Sequence, residues 1–318
     1  MSTEFQISYT LDVLLYIGCM IDEEKRDLYE EDIDTFMPML GTISDKYLEK
    51  LKKINKGTPG FINYIISIVI VNDHLHDWTT TDLLDRHKRL VTVFKKTAHF
   101  KKASSVLKKF INNDFSKTMP LIKVIVTDLD RLGFKKFWLE EKLPLLKERT
   151  AEYQKVLSEF NIARYVNSWV VDKKIPVNGQ WYILAYSGNQ YKPLLGKFNV
   201  IAPITPADQL FHRVVSYVLK AGSYRKFCKA LKPDSDLKAE YKKHKLYKSF
   251  KGISDYAEVC LKKALSVYLI DDYHTSELEI PANYPFATVI HGFLCENEKP
   301  IDVAIGVYVI DMMKKLSR

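Results

Sequence analysis

His212 stands in the stretch Thr205-Pro-Ala-Asp208-Gln-Leu-Phe-His212-Arg213-Val-Val-Ser216, where a histidine on a helix could ligate a metal ion. Thr205 is a favourable N-cap. Pro206 suits the first helical position, and Asp208 brings a carboxylate to the free amides of the first turn. A helix is therefore predicted over Leu210 to Lys220. A catalytic zinc on such a helix needs a second histidine at i+4, to meet the ion on one face, and an adjacent carboxylate to take a proton from bound water. Those positions hold Ser216 and Arg213. Serine is a poor zinc donor, and a guanidinium with a pKa above about 12 cannot act as a base. The segment therefore argues against tight zinc binding and hydrolysis, and a lone helix histidine is ordinarily a hydrogen-bonded structural residue.

Other reactive patterns are weaker. Asp73-His-Leu-His-Asp77 gathers four donors in a polar loop, where such residues are usually just solvated. No GxxxxGK[ST], no GxGxxG after a strand and no GxSxG occurs, so nucleotide hydrolysis, dinucleotide binding and α/β-hydrolase chemistry lack their usual signatures. Cys19, Cys228, Cys260 and Cys295 lie far apart without a CxxC pair, which reads as buried thiols rather than a disulfide framework or zinc knuckle. No catalytic residue, metal or cofactor is expected.

The net charge of +9 is concentrated. Arg225 to Lys251 carries ten Lys or Arg against three acids, or +7, while Asp22 to Asp34 carries eight acids against Lys25 and Arg26, or −6. Arg225, Lys226, Lys242, Lys243, Lys245 and Lys248, with Tyr241, Tyr247 and Phe250 interleaved, could meet nucleic acid or an anionic surface. The same tract also reads as a solvated helix pair with its loop.

The elements that must position these groups follow from periodicity. Helices are predicted around Leu11, Leu14, Leu15 and Gly18, from Tyr47 to Ile54, over Phe61 to Val71, from Thr79 towards Phe100, and over Ala103 to Asn112, Met119 to Leu132 and Lys135 to Phe160. Pro144 is expected to kink or split the last of these. After about residue 165, Gln180 to Tyr186 and Lys197 to Pro203 read as two strands of a small antiparallel sheet. Helices follow at Tyr224 to Leu231, Ser254 to Ile270 and Pro300 to Leu316. The longest apolar run, Phe61 to Val71, is well short of the roughly 20 residues a bilayer requires. The first residues show neither a basic n-region nor a cleavage site, so a cytoplasmic protein is expected.

Two strands, a capped helix with a histidine and a later helix with a glutamate resemble the layout of the gluzincin metallopeptidases. Asp255-Tyr-Ala-Glu258-Val-Cys-Leu-Lys-Lys-Ala264 is similar to the helix that carries their third zinc ligand. The whole chain resembles an uncharacterised bacterial family with a helical N-terminal half. The resemblance implies that His212 and Glu258 keep two ligand positions, that Arg213 and Ser216 replace the general base and the second histidine, and that Tyr273 or His274 could face the cleft. The expected architecture is α+β and predominantly helical. It comprises a helical region over 1–160 and a gluzincin-like module with its sheet over 161–318, packed together without a flexible linker. The implied function is a non-catalytic pseudoenzyme whose cleft binds a peptide or protein. The alternatives are a divergent metal-dependent hydrolase, drawing ligands from 73–77 or 272–279, and a helical scaffold whose basic tract binds polyanions.

Overall fold

The structure, a computed structural model, describes residues 4–71, 80–159, 180–187, 192–194, 198–201, 223–244, 250–271, 280, 282–300 and 302–317. By internal contacts the chain divides into one unit of Thr3–Ala151 with Gly179–Thr205, and another that includes Glu152–Asn178 and Pro206–Arg318. The division expected at residue 160 differs from this one, because the sheet residues cluster with the N-terminal helices.

In the first unit, strand β1 (Glu4–Gln6) leads into α1 (Tyr9–Ile21), whose N-terminus is capped by the Ser8 hydroxyl accepting the Leu11 N–H at 3.3 Å. Every residue of α1 from Leu11 to Ile21 is buried. The single apolar face read from Leu11, Leu14, Leu15 and Gly18 is thus too narrow, since a helix apolar all round has to be enclosed. The chain continues through α2 (Glu23–Arg26), α3 (Glu30–Phe36), α4 (Thr42–Gly57) and α5 (Phe61–Val71), then α6 (Thr80–Asp85), α7 (His87–Lys95), α8 (Ala98–Lys102), α9 (Ser105–Asn113) and α10 (Phe115–Arg131). Helices α4, α5 and α10 enclose α1, while α10 also packs on α4, α6 and α9.

Gly133, with φ 88°, ends α10 in the left-handed conformation that favours glycine and turns the chain into α11 (Phe134–Phe137). A π-helical turn, Trp138–Lys142, joins α11 to α12 (Leu143–Glu159). The Leu143 N–H bonds back to the Trp138 carbonyl. Pro144 has no N–H to give and its ring crowds the preceding turn. The irregularity falls immediately before it as a wide turn, where a kink or split is expected.

Strands β2 (Gln180–Ile183), β3 (Lys192–Leu194) and β4 (Phe198–Ile201) complete a mixed sheet in the order β1-β2-β4-β3. β1 runs parallel to β2, with Phe5 opposite Trp181, and β2 runs parallel to β4, with Ile183 opposite Ile201. The expected antiparallel pairing of β2 with β4 is therefore corrected. The chain between Ile183 and Phe198 is long enough for a crossover, and β3, read as an insert, takes the antiparallel place beside β4 across a short connection. Trp181, Tyr182 and Ile183 are all buried, as a central strand with parallel neighbours requires.

The second unit holds α13 (Arg225–Cys228), α14 (Ser235–Lys243), α15 (Ile253–Asp271), α16 (Pro285–Glu296) and α17 (Ile305–Lys315). α15 is its axis, burying Tyr256, Ala257, Cys260, Leu261, Ala264 and Leu265 against α13, α14 and α16. The predicted Tyr224, Ser254 and Pro300 helices correspond to α13, α15 and α17, whereas α16 has no counterpart among the predicted helices. α13 also packs on α17, where a Cβ added at Gly306 would lie 2.7 Å from Cε1 and 2.8 Å from Cζ of Phe227. Gly306→Ala is accordingly expected to lose about 1–2 kcal/mol in urea unfolding, the clash outweighing the roughly 1 kcal/mol by which alanine favours a helix. No helix among the described residues is long and apolar enough to cross a membrane, and the predominantly helical class of the chain holds.

Candidate functional site

Of the positions picked out in the sequence, His212, Arg213, Ser216, Tyr273, His274, Lys245, Lys248 and the Asp73–Asp77 cluster lie outside the described residues. Glu258, Arg225, Lys226, Lys242 and Lys243 lie within them. Glu258 projects from α15 towards the start of α13. Its Oε1 accepts the Tyr224 N–H at 2.7 Å and lies 3.0 Å from Lys262 Nζ, one turn further along α15. The two side chains are only 13% and 18% exposed, so this i,i+4 pair is largely shielded from water. Lys262 Nζ also sits 5.8 Å from the centre of the Tyr224 ring.

A zinc ion at this carboxylate would lie against the Lys262 ammonium, with Oε1 already accepting a backbone amide. The donor set therefore does not fit the metal that the gluzincin resemblance implies. Among the described residues, no group of three or more His, Cys, Asp or Glu is placed to hold a metal. Glu258 instead accepts the Tyr224 N–H at the start of α13. Glu258→Ala is expected to destabilise the protein by about 1–2 kcal/mol in urea unfolding, the cost of removing the acceptor of a part-buried N–H and the carboxylate beside the Lys262 ammonium. An unchanged midpoint would show that the joint contributes nothing.

The described part of the basic tract is a surface. Lys226, Lys229, Lys232, Lys238, Lys242 and Lys243 are exposed, while Arg225 is ion-paired with Asp255. Lys242 and Lys243 occupy the last turn of α14, where cations complement the helix dipole.

A second polar constellation, in the other unit, carries no motif by which the sequence would announce it. Asp12, fully buried in α1, accepts the Trp138 indole N–H at 2.9 Å on Oδ2 and the Tyr186 amide at 3.3 Å on Oδ1. Burial pushes its pKa up to about 7, against the opposing pull of these hydrogen bonds and of Lys142. Nearby, Lys142 pairs with Asp32 at 2.6 Å, and Tyr16 donates to the Asp32 carbonyl at 2.9 Å. The π turn places Trp138 and Lys142 so that one holds Asp12 and the other Asp32. The one signal in the sequence is Asp12 itself, the single charged residue in the apolar run Leu11 to Ile21.

Both Asp12 oxygens are engaged and none of the residue reaches solvent, so the group is a clamp between α1, the π turn and the end of β2 rather than a base for an external substrate. The thiols of Cys19, Cys228 and Cys260 are likewise pushed up to about 12, chiefly by burial, and are protonated and poorly nucleophilic. No family model, curated protein or solved structure matches the chain.

Proposed function

We propose that this chain is a non-catalytic binding protein of metallopeptidase-like ancestry, whose ligand is a peptide or another protein. The observation that carries the non-catalytic part is the commitment of Glu258. The one described residue assigned to a zinc ligand position is held by the Tyr224 amide and the Lys262 ammonium. The sequence adds Arg213 and Ser216 at the positions of the general base and the second histidine, which leaves no complete donor set. The cleft between the His212 and Glu258 helices belongs to this proposal and rests on the resemblance.

The test is elemental analysis of protein purified without chelators, together with a general peptidase assay. Substoichiometric zinc and no turnover are expected. One zinc per chain that disappears in His212→Ala, or peptide cleavage lost in the same variant, overturns the reading and restores the divergent hydrolase.

A further inference from the structure

The first unit carries an open surface groove lined by both apolar and charged residues. It has a volume of about 360 Å³. Its apolar lining is Met37, Pro38 and the nearly buried Leu48, and its charged lining is Arg26, Asp34, Asp45 and Glu49. Arg26, paired with Asp34 at 3.1 Å, also lines a second depression of about 530 Å³ with Glu23, Glu24, Asp27 and Glu30, and Glu49 is paired with Lys52 at 2.7 Å. The segments that form the groove also leave large apolar side chains in water. Met39, next to Pro38, is 49% exposed, and Ile43, at the start of α4, is 62% exposed.

Carboxylates that served only solubility would not need to border an apolar recess, and an apolar recess that served only the core would not be open. Their combination selects a ligand that presents cations around an apolar anchor. We propose that this groove docks a basic amphipathic segment of a partner protein, with an aliphatic side chain over Met37 and Pro38, and with Lys or Arg residues lying against Asp45 and the acidic depression beside it and displacing Lys52 from Glu49. The inference rests on the binding reading above only for its class of ligand, since the groove belongs to the other unit and needs neither His212 nor Glu258.

The experiment is fluorescence anisotropy with a labelled peptide of about 12 residues, built from Lys and Leu in a helical repeat, alongside a control with Glu in place of every Lys. The full-length chain is expected to bind the basic peptide and not the control, and to weaken as salt is raised. Asp45→Lys/Glu49→Lys should lower affinity about tenfold or more, and Met39→Glu several-fold, because both contacts are lost or reversed. Val289→Glu, at a 54% exposed position in α16, serves as the surface control and should bind like wild type. All the substituted residues are exposed, and unchanged circular dichroism and melting will show that the variants fold.

Equal binding of the acidic control, wild-type affinity in the double variant, or absence of binding at low salt overturns the proposal. So does concentration-dependent self-association in sedimentation that is abolished by Lys242→Glu/Lys243→Glu, which would make a second copy of this chain the occupant. Zinc content and peptidase activity, measured separately, report on the C-terminal reading and are not altered by any of these outcomes.

Discussion

Asp12→Asn is expected to remove a loss of stability that the wild-type protein shows as pH rises from about 4 to about 7. The carboxyl titrates near its ordinary value of 3.8 in the unfolded chain and at about 7 in the fold, where burial disfavours the charge. Across that window the folded state holds the extra proton. The contribution of Asp12 is thus fully present below pH 4 and disappears as the pH passes through 7. A tenfold change in a protonation equilibrium corresponds to about 1.4 kcal/mol, so the difference between wild type and variant should change by a few kcal/mol over the window. Asparagine cannot reproduce both acceptor oxygens, which adds a constant offset but no slope. Asp12→Ala should be worse at every pH, leaving the Trp138 and Tyr186 N–H groups without their acceptor at about 1–3 kcal/mol each. Urea unfolding of the three proteins at a series of pH values is the measurement. Parallel stability curves for wild type and Asp12→Asn would refute the assignment.

The second large effect is expected at Phe134. This fully buried ring, the first residue of α11, lies 4.4 Å from Tyr16, 5.2 Å from Phe36 and 6.2 Å from both Phe137 and Tyr186, centre to centre. Phe134→Ala removes the hub of that cluster and leaves a cavity between elements that are too constrained to close it. A loss of about 3–5 kcal/mol is expected in equilibrium denaturation. Leu139→Ala, five residues on but 46% exposed, should change stability by no more than about 0.5 kcal/mol. Similar losses at the two sites would mean that the aromatic cluster is not the centre of this unit.

Legibility in the sequence follows the range of the interaction. The helices α4, α5, α9, α10, α12 and α15 are readable because a 3.6-residue apolar rhythm, a capping residue or a proline is a local signal. The direction of the sheet is not, because pairing is decided by the length of the intervening chain and by β1, whose three residues show no strand pattern by themselves. α16 escapes prediction where Pro285 opens it, although proline in the first turn is itself a start signal. Glu258 stands out for its resemblance to a ligand, yet its role is set by Tyr224, distant in sequence. Asp12 shows the reverse. Its oddity is visible in an apolar run, but its meaning needs Trp138 and Tyr186, which no spacing rule connects to it.

The pairing of β1 with β2 also fixes an order of events during synthesis. Glu4 cannot find Gln180 until the intervening chain has been translated, which at roughly 5–20 residues per second takes on the order of ten seconds or more. Throughout that interval Asp12 lacks the Tyr186 amide and the ring of Tyr16 lacks one of its neighbours, as does that of Phe134 once it has been made. The N-terminal helices therefore leave the ribosome as an unfinished nucleus with an open aromatic face, and a segment made late closes it. A lesion in or just after β2 that displaces Tyr186 would leave that face open in the finished chain as well.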